Sequence, residues 1–418
     1  MTTRLLLCVI ALLSATSASA ADATTPQHRP LTDRMFERTD ERRERGRYLT
    51  EHVLQCFICH SERDASQPGA PAAAARKGAG AVSRQSEGRL IVAPNITPDV
   101  ETGAGGWTDD MLARAIREGI GHDGRALHPT MWYRSFAALS DEDVAAVVVY
   151  LRSIPAVRNE LPRTQLPDEE RARIAGQPKP ITAPVEGPAP GDVLARGKYL
   201  INLADCGGCH TSWYSARMPG LFAGGNHIER RYGSAFSTNI THHSSGIGYG
   251  ADAFVAVMRS GKGSSLSPLM PWVAFRGMTD ADLEAIYLAL GTLQPVGHYI
   301  GNGGPAEHCA VCGQEHPLGA YNKPEVPPRV AVDAASLQRL AGRYRHPGWD
   351  LTVTIRAEGD RLYGREADGP EIELVPQSPV RFLAPGWPAP VEFVVDPAGH
   401  ATQLVALELD REPFVRLP

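Results

Sequence analysis

Two copies of one short pattern carry the most specific chemistry in this chain: Cys56-Phe57-Ile58-Cys59-His60 and Cys206-Gly207-Gly208-Cys209-His210. Two thiols separated by two residues, with an imidazole directly after the second, form the attachment signature of a c-type haem. The thiols add across the vinyl groups, and the adjoining imidazole reaches the iron from one face. A thioredoxin-type redox pair or a zinc knuckle explains the cysteines but not a histidine placed twice at the same spot. The chain contains seven cysteines. Cys8 lies near the N-terminus, four belong to the two patterns, and Cys309 and Cys312 form a separate pair. The expectation is two covalently bound haem c groups, held by Cys56, Cys59, Cys206 and Cys209, with His60 and His210 as proximal iron ligands.

The second axial ligand decides what such an iron does. An open sixth position binds peroxide or oxygen, whereas a methionine closes it and raises the potential. Met131 and Met270 are the candidates. They sit in Leu127-His128-Pro129-Thr130-Met131 and Leu266-Ser267-Pro268-Leu269-Met270, at matching places between two helices of each repeat. A single methionine is more often core filler, and Met111, Met258 and Met278 are read that way. His128 rivals Met131, and His242 or His243 could line the second haem edge. Asn95, Thr97, Asn239 and Thr241 either bond haem propionates or the methionine-bearing loop, or cap their own turns. Trp107, Trp132 and Trp272 pack either on a macrocycle or in ordinary core.

The elements that position these residues occur twice. Arg45-Gly46-Arg47-Tyr48-Leu49 precedes the first motif and Arg196-Gly197-Lys198-Tyr199-Leu200 the second, with eight and seven residues from tyrosine to cysteine. Asn95-Ile96-Thr97 returns as Asn239-Ile240-Thr241, and Arg117-Glu118-Gly119 as Arg259-Ser260-Gly261. Ser140 and Thr279, each with an acid three residues on, are N-caps of a closing helix. Each repeat reads as a few short helices with long loops. The divisions expected are a signal peptide over 1–20, helical units over 41–157 and 191–296 with a Pro-rich linker over 158–190, a connector over 297–335 and a β domain over 336–418.

Met1 to Ala20 has one basic residue, an apolar run from Leu5 to Leu13, and Ala18-Ser19-Ala20 before Ala21, the layout of a secretory signal cleaved after Ala20. The run is too short to span a bilayer, and no later segment reaches the length needed. An exported, periplasmic protein is expected, touching a membrane only through a partner. The net charge of −5 gives no reason to expect nucleic acid.

Taken together, the two haem motifs, the Asn-Ile-Thr loops and the Pro-x-Met loops resemble the class I cytochromes c. They are most similar to the tandem cytochrome c chains that serve periplasmic alcohol, aldehyde and gluconate-type dehydrogenases. The resemblance implies a mainly α fold of two cytochrome c-like modules followed by a small antiparallel β domain. It implies an electron carrier or electron-transfer subunit rather than an independent enzyme, with no catalytic acid, base or nucleophile. A periplasmic dehydrogenase would be the donor, and a downstream cytochrome or terminal oxidase the acceptor. Those subunits usually carry three haems; here Cys309-Ala310-Val311-Cys312 is followed by Gly313, which removes the proximal ligand of a third. The alternatives are a dihaem peroxidase or thiosulfate-type oxidase, in which one iron opens, and a haem-bearing sensor whose β domain binds a ligand.

Two stretches stand outside the repeat. His308-Cys309-x-x-Cys312-x3-His316 reads first as a local disulfide, then as a Cys2His2 metal site, then as a redox dithiol. Beyond it, Leu351 to Ile355 and later runs alternate apolar and polar residues around turns such as Glu358-Gly359-Asp360. This β domain, expected as a curled half-barrel, is similar to one appended to some penicillin-binding and β-lactamase-like proteins through Leu340-Ala341-Gly342-Arg343-Tyr344. It reads as a docking or binding module.

Overall fold

The computed structural model describes residues 28–418, except 68, 87, 214–217, 231–232, 263–265, 268, 324–328, 348–350, 368, 370, 385–389 and 407–412. The leader expected over 1–20 and Pro268 of the second Pro-x-Met loop lie outside the described residues.

The first repeat begins with α1 (Asp40–Tyr48), whose first turn is capped by Thr39 accepting from Arg42 N. A π-helical turn over Leu49–Val53 continues it into α2 (Cys56–Cys59). That wider turn absorbs the one extra residue that this repeat carries between tyrosine and cysteine. The hairpin β1 (Ala81–Ser86) and β2 (Arg89–Ala93) follows, then α3 (Asp109–Glu118), α4 (Tyr133–Phe136) and α5 (Asp141–Ser153). The segment to the second repeat holds α6 (Asp168–Ala175). The same order then returns: α7 (Val193–Leu203), α8 (Cys206–His210), the hairpin β3 (His227–Arg230) and β4 (Gly233–Phe236), α9 (Ala251–Ser260), α10 (Trp272–Phe275) and α11 (Asp280–Leu290).

In each repeat the first long helix crosses the last, and a glycine sits at the crossing. A Cβ on Gly46 would lie 1.9 Å from Ala146 O of α5, and one on Gly197 would lie 2.0 Å from Ala285 O of α11. Only a residue without a side chain lets the two backbones meet, which explains why Arg-Gly-x-Tyr-Leu recurs. An arginine beside each glycine then clamps the partner helix. Arg45 makes a two-pronged pair with Asp143 (2.8 and 2.8 Å), and Arg196 with Asp282 (2.9 and 2.9 Å). Both repeats share one apolar core, in which Leu49, Val147, Leu200 and Leu283 are fully buried.

After a small hairpin, β5 (Ala306–His308) and β6 (Glu315–Pro317), the chain forms α12 (Ala334–Leu340) and a closed barrel. Its strands are β7 (Gly342–Arg345), β8 (Thr352–Glu358), β9 (Arg361–Glu366), β10 (Ile372–Pro376), β11 (Arg381–Leu383), β12 (Val391–Val395), β13 (Ala401–Ala406) and β14 (Phe414–Arg416). Each strand pairs antiparallel with its sequence neighbour, and β14 returns to β7 with Val415 opposite Arg345. Closure removes both sheet edges. The interior is filled: Tyr344, Phe382 and Phe393 stack edge to face at 5.6–5.8 Å between centroids. Leu337 and Leu340 of α12 join that core, and Tyr344 Oη donates to Leu340 O at 2.6 Å.

A mainly α fold is therefore incorrect. Among the described residues 30% are helix and 19% strand, with an eight-stranded closed barrel in place of a half-barrel. Alternation in the C-terminal sequence shows which residues face inward but not whether the first and last strands meet. The haem-motif repeats are also poorer in helix than their motifs suggest. Their helices α2, α4, α8 and α10 are only one turn long, and each repeat contains a β-hairpin. Among the described residues, no helix is long and apolar enough to cross a membrane.

Gly197→Ala forces a methyl group into the Ala285 carbonyl, and overpacking of this kind costs about 1–3 kcal/mol. Guanidinium unfolding followed at the haem Soret band should shift to lower denaturant by that amount. Gly303→Ala, where an added Cβ meets nothing within 4 Å, should leave the midpoint in place.

Candidate haem-binding sites

The haem-motif cysteines lie on α2 and α8, and the residue before each motif stands in the left-handed backbone region, Gln55 at φ 56° and Asp205 at φ 53°. This turn breaks the long helix and swings the motif inward. His60 and His210 end up 7% and 8% exposed. Nδ1 of His60 donates to Pro94 O at 2.8 Å, and Nδ1 of His210 to Thr238 O at 2.7 Å. Burial holds both imidazoles below the usual histidine pKa, with the carbonyl bond opposing it. Each ring is thus neutral with its proton on Nδ1, so Nε2 keeps the lone pair that a metal needs.

Around His60 lies a cavity of about 930 Å³, within the range of cofactor sites. Cys56, Cys59, His60, Trp107, Trp132 and Met131 all line it. A buried imidazole, two thiols and a thioether around an apolar space of this volume fit a covalently held haem.

Met131 and Met270 occupy the same place in their repeats. Met131 N donates to His128 O and Met270 N to Ser267 O (2.9 and 3.3 Å), and each methionine lies two residues before a one-turn helix. Both are half-buried against the shared core. His128 lines the cavity but has both ring nitrogens engaged, Nδ1 with Thr130 Oγ1 at 2.7 Å and Nε2 with Glu170 Oε1 at 3.3 Å. Glu170 is itself held by Arg89. His243 Nδ1 is taken by Ser245 Oγ, whereas His242 lies with its ring 4.4 Å from that of Tyr287.

The Asn-Ile-Thr loops are structural knots. Asn95 Oδ1 accepts from Thr97 N and Oγ1 (3.0 and 2.7 Å), while its Nδ2 donates to Val157 O at 2.7 Å. Asn239 repeats each bond with Thr241 and Val296 O (2.9, 2.8 and 2.7 Å). These side chains are engaged within their own loops and with the main chain after the last helix, which is turn capping. Trp107 and Trp132 line the cavity, and Trp107 also stacks on His122 at 4.4 Å. Trp272 packs on the core with Nε1 donating to Ser267 O.

Sequence reasoning missed the contact between the repeats. Tyr199 Oη donates to Asp143 Oδ2 at 2.7 Å, and Tyr48 Oη donates to Asp282 Oδ2. The hydroxyls also accept from the first turns of the opposite helices, Tyr199 from Ser140 N and Tyr48 from Thr279 N (3.1 and 3.3 Å). Each repeat therefore completes the other's Arg–Asp clamp. Burial and the neighbouring carboxylate push the Tyr48 pKa up to about 12, which keeps it a donor. Closer to the motifs, Gln55 Nε2 reaches Ala204 O at 3.3 Å and Ser135 Oγ reaches Asp205 Oδ1 at 2.9 Å. The matching tyrosines in Arg-Gly-x-Tyr-Leu were the available signal. Cys309 and Cys312 carry no disulfide, and the nearby His308 is exposed.

Part of the chain is similar in sequence to known proteins. Residues 44–155 match the cytochrome c family model, whose members hold haem c covalently. The fructose dehydrogenase cytochrome subunit of Gluconobacter japonicus is 31% identical over 58% of this chain and 50% of its own. The gluconate 2-dehydrogenase cytochrome c subunit of Pantoea cypripedii is 33% identical over 40% of this chain and 37% of its own. A diheme cytochrome c-type protein of Cereibacter sphaeroides is 32% identical over 37% and 53%. The chain spans about half or less of the length of these relatives.

Despite its burial, Asp282 titrates below the usual carboxylate range because Arg196 and Tyr48 bond its charged form. The stability it contributes is fully present above the unfolded value of about 3.9 and is lost as pH falls through the lower folded value. Asp282→Asn should flatten the acid-unfolding curve in that interval. Tyr199→Phe, which removes a bond to a charged acceptor, should cost about 1.5–3 kcal/mol in denaturant unfolding at pH 7.

Proposed function

We propose that this chain, a cytochrome c-domain protein related to dehydrogenase cytochrome subunits, is a periplasmic dihaem carrier that takes single electrons from an exported dehydrogenase and passes them towards a terminal oxidase. The observation that carries the reading is the duplication of one complete ligand arrangement. His60 and His210 have the same burial, the same Nδ1-to-carbonyl bond and the same left-handed entry turn. Met131 and Met270 stand at equivalent positions before equivalent one-turn helices.

A bound c-type haem supplies a one-electron iron couple. The chain's residues do the rest. Cys56, Cys59, Cys206 and Cys209 would fix the two groups covalently, so neither would be lost while its charge changes. Pro94 O and Thr238 O hold the proximal rings in one tautomer and orientation. The walls of the first site are mostly apolar, with side chains such as Ile91, Leu112, Ile116 and Trp107, and such a lining would favour the less charged state of a group held inside. Met131 and Met270 would close the distal sides. Closed irons do not bind peroxide, which separates this reading from the dihaem peroxidase. The engaged nitrogens of His128 support Met131 over a bis-histidine site. The Gln55–Ala204 and Ser135–Asp205 contacts bring the chain just before each motif against the opposite repeat, a favourable arrangement for exchange between the two groups.

The pyridine haemochrome assay should give two haems per chain, and Cys206→Ser with Cys209→Ser should give one. Near-infrared magnetic circular dichroism should show two low-spin His/Met signatures. Met131→Ala or Met270→Ala should each convert one of them to high spin and lower the potential of that haem alone. A high-spin component in the unaltered protein would transfer the assignment to a peroxidase or oxidase.

A further inference from the structure

Beyond the haem sites, four side chains within residues 298–316 converge on one buried point. His298, Cys309, Cys312 and His316 are all buried, and one donor atom from each lies within 4.8 Å of the others. Cys309 Sγ is 3.5 Å from His298 Nε2, and Cys312 Sγ is 3.5 Å from His316 Nε2. In both rings Nδ1 is occupied by a main-chain carbonyl: His298 by Ala223 O at 2.8 Å and His316 by Pro317 O at 3.0 Å. The outer hydrogen bonds thus select the tautomer that aims each Nε2 lone pair at the sulfurs, as in metal-ligating histidines. The cysteines sit in a tight turn at the tip of β5–β6, where Cys309 N donates to Gln314 O, Gly313 N to Cys309 O and Cys312 N to Cys309 Sγ (2.9, 2.8 and 3.4 Å). A backbone donor to sulfur stabilises a thiolate.

We propose that His298, Cys309, Cys312 and His316 form a tetrahedral structural site for a divalent zinc-class ion. Two thiolates and two imidazoles, all buried, match zinc and exclude the oxygen-seeking calcium and magnesium. The geometry replaces the expected His308 with His298, eleven residues before the first cysteine. It also accounts for a Cys-x-x-Cys pair with no disulfide, because a bound metal holds both sulfurs as ligands.

The position of the site gives it a role. Ala223, which holds His298, is followed by Gly224, whose N–H donates to His210 O at 2.6 Å. Asn226 in the same loop donates to Cys209 O and Thr211 O, both at 2.7 Å. His316 packs on Phe236 of β4 at 5.8 Å. An ion bound here ties the segment after the second repeat to the loop that supports the second Cys-x-x-Cys-His motif. It would clamp one haem site of the two.

The test is zinc K-edge X-ray absorption together with elemental analysis of the purified haem-loaded protein; haem iron is silent at that edge. The expected result is one zinc per chain after dialysis against EDTA, with two sulfurs near ~2.3 Å and two nitrogens near ~2.0–2.1 Å. Cys312→Ser should lose most of that zinc while its mass still shows two haems. Absence of tightly held metal would overturn the proposal, whether the intact mass shows an oxidised Cys309–Cys312 pair or two free thiols. Zinc with an oxygen-rich shell, or retained in full by Cys312→Ser, would also overturn it. The haem count comes from the same samples, so failure of the metal site is separable from failure of the carrier assignment.

Discussion

An imidazole that is to hold a metal must stay neutral and point one way; at His60 and His210 burial supplies the first condition and a main-chain carbonyl the second. Most of each repeat can be traced to the need to hold that carbonyl still. Pro94 O and Thr238 O each directly precede an Asn-Ile-Thr knot, so the asparagine that bonds Val157 O or Val296 O also fixes the acceptor of the proximal ring. Val157 and Val296 follow the last helix of their repeats. The first helix delivers the histidine and the last helix anchors its acceptor. Gly46 and Gly197 bring those helices into contact, and the arginine beside each glycine pins the crossing. The proximal geometry is therefore a closed loop of constraints, not a property of the five-residue motif alone.

The same logic explains why the repeats do not stand apart. Asp143 and Asp282 serve as N-terminal acids of their helices, as partners of the arginine clamps and as acceptors for the opposite tyrosines. For Asp282 these donors hold the carboxyl below its usual range although it is buried, and a negative charge near a helix N-terminus is favoured. Docking of the repeats and crossing of the helices thus depend on the same two side chains. Loosening either crossing would alter the neighbour's clamp and, through Gln55 and Asp205, the entry turn of a haem motif.

Much of the candidate site was legible in the sequence because chemistry fixes residue type at a fixed spacing there. Cys-x-x-Cys-His needs no fold to be recognised. The doubled Asn-Ile-Thr and Arg-Gly-x-Tyr-Leu were visible as repeats, although their work was not. Knotting a turn and sharing a carboxylate depend on partners 57 and 62 residues away for the asparagines, and 56 and 234 for the tyrosines. The fold class was misread for a related reason. Strand alternation is local, but closure of a barrel rests on one long-range pairing, β14 with β7, that no local pattern encodes. His298 was unreadable on the same grounds: a single histidine outside any motif becomes a candidate ligand only when the chain folds back on it.

The barrel shows how the remaining part of the chain differs in kind. Eight strands enclose a space that in some barrels holds one small ligand. Here three aromatic rings and the leucines of α12 fill it, and Tyr344 satisfies its hydroxyl on Leu340 O. The described core of the barrel is thus packed with its own side chains and hydrogen-bonded to its own plug. On its outside, charged pairs such as Arg356 with Glu358 and Glu371 decorate the strands. Closure leaves this domain without an open sheet edge, so none of its barrel strands is exposed to unwanted pairing.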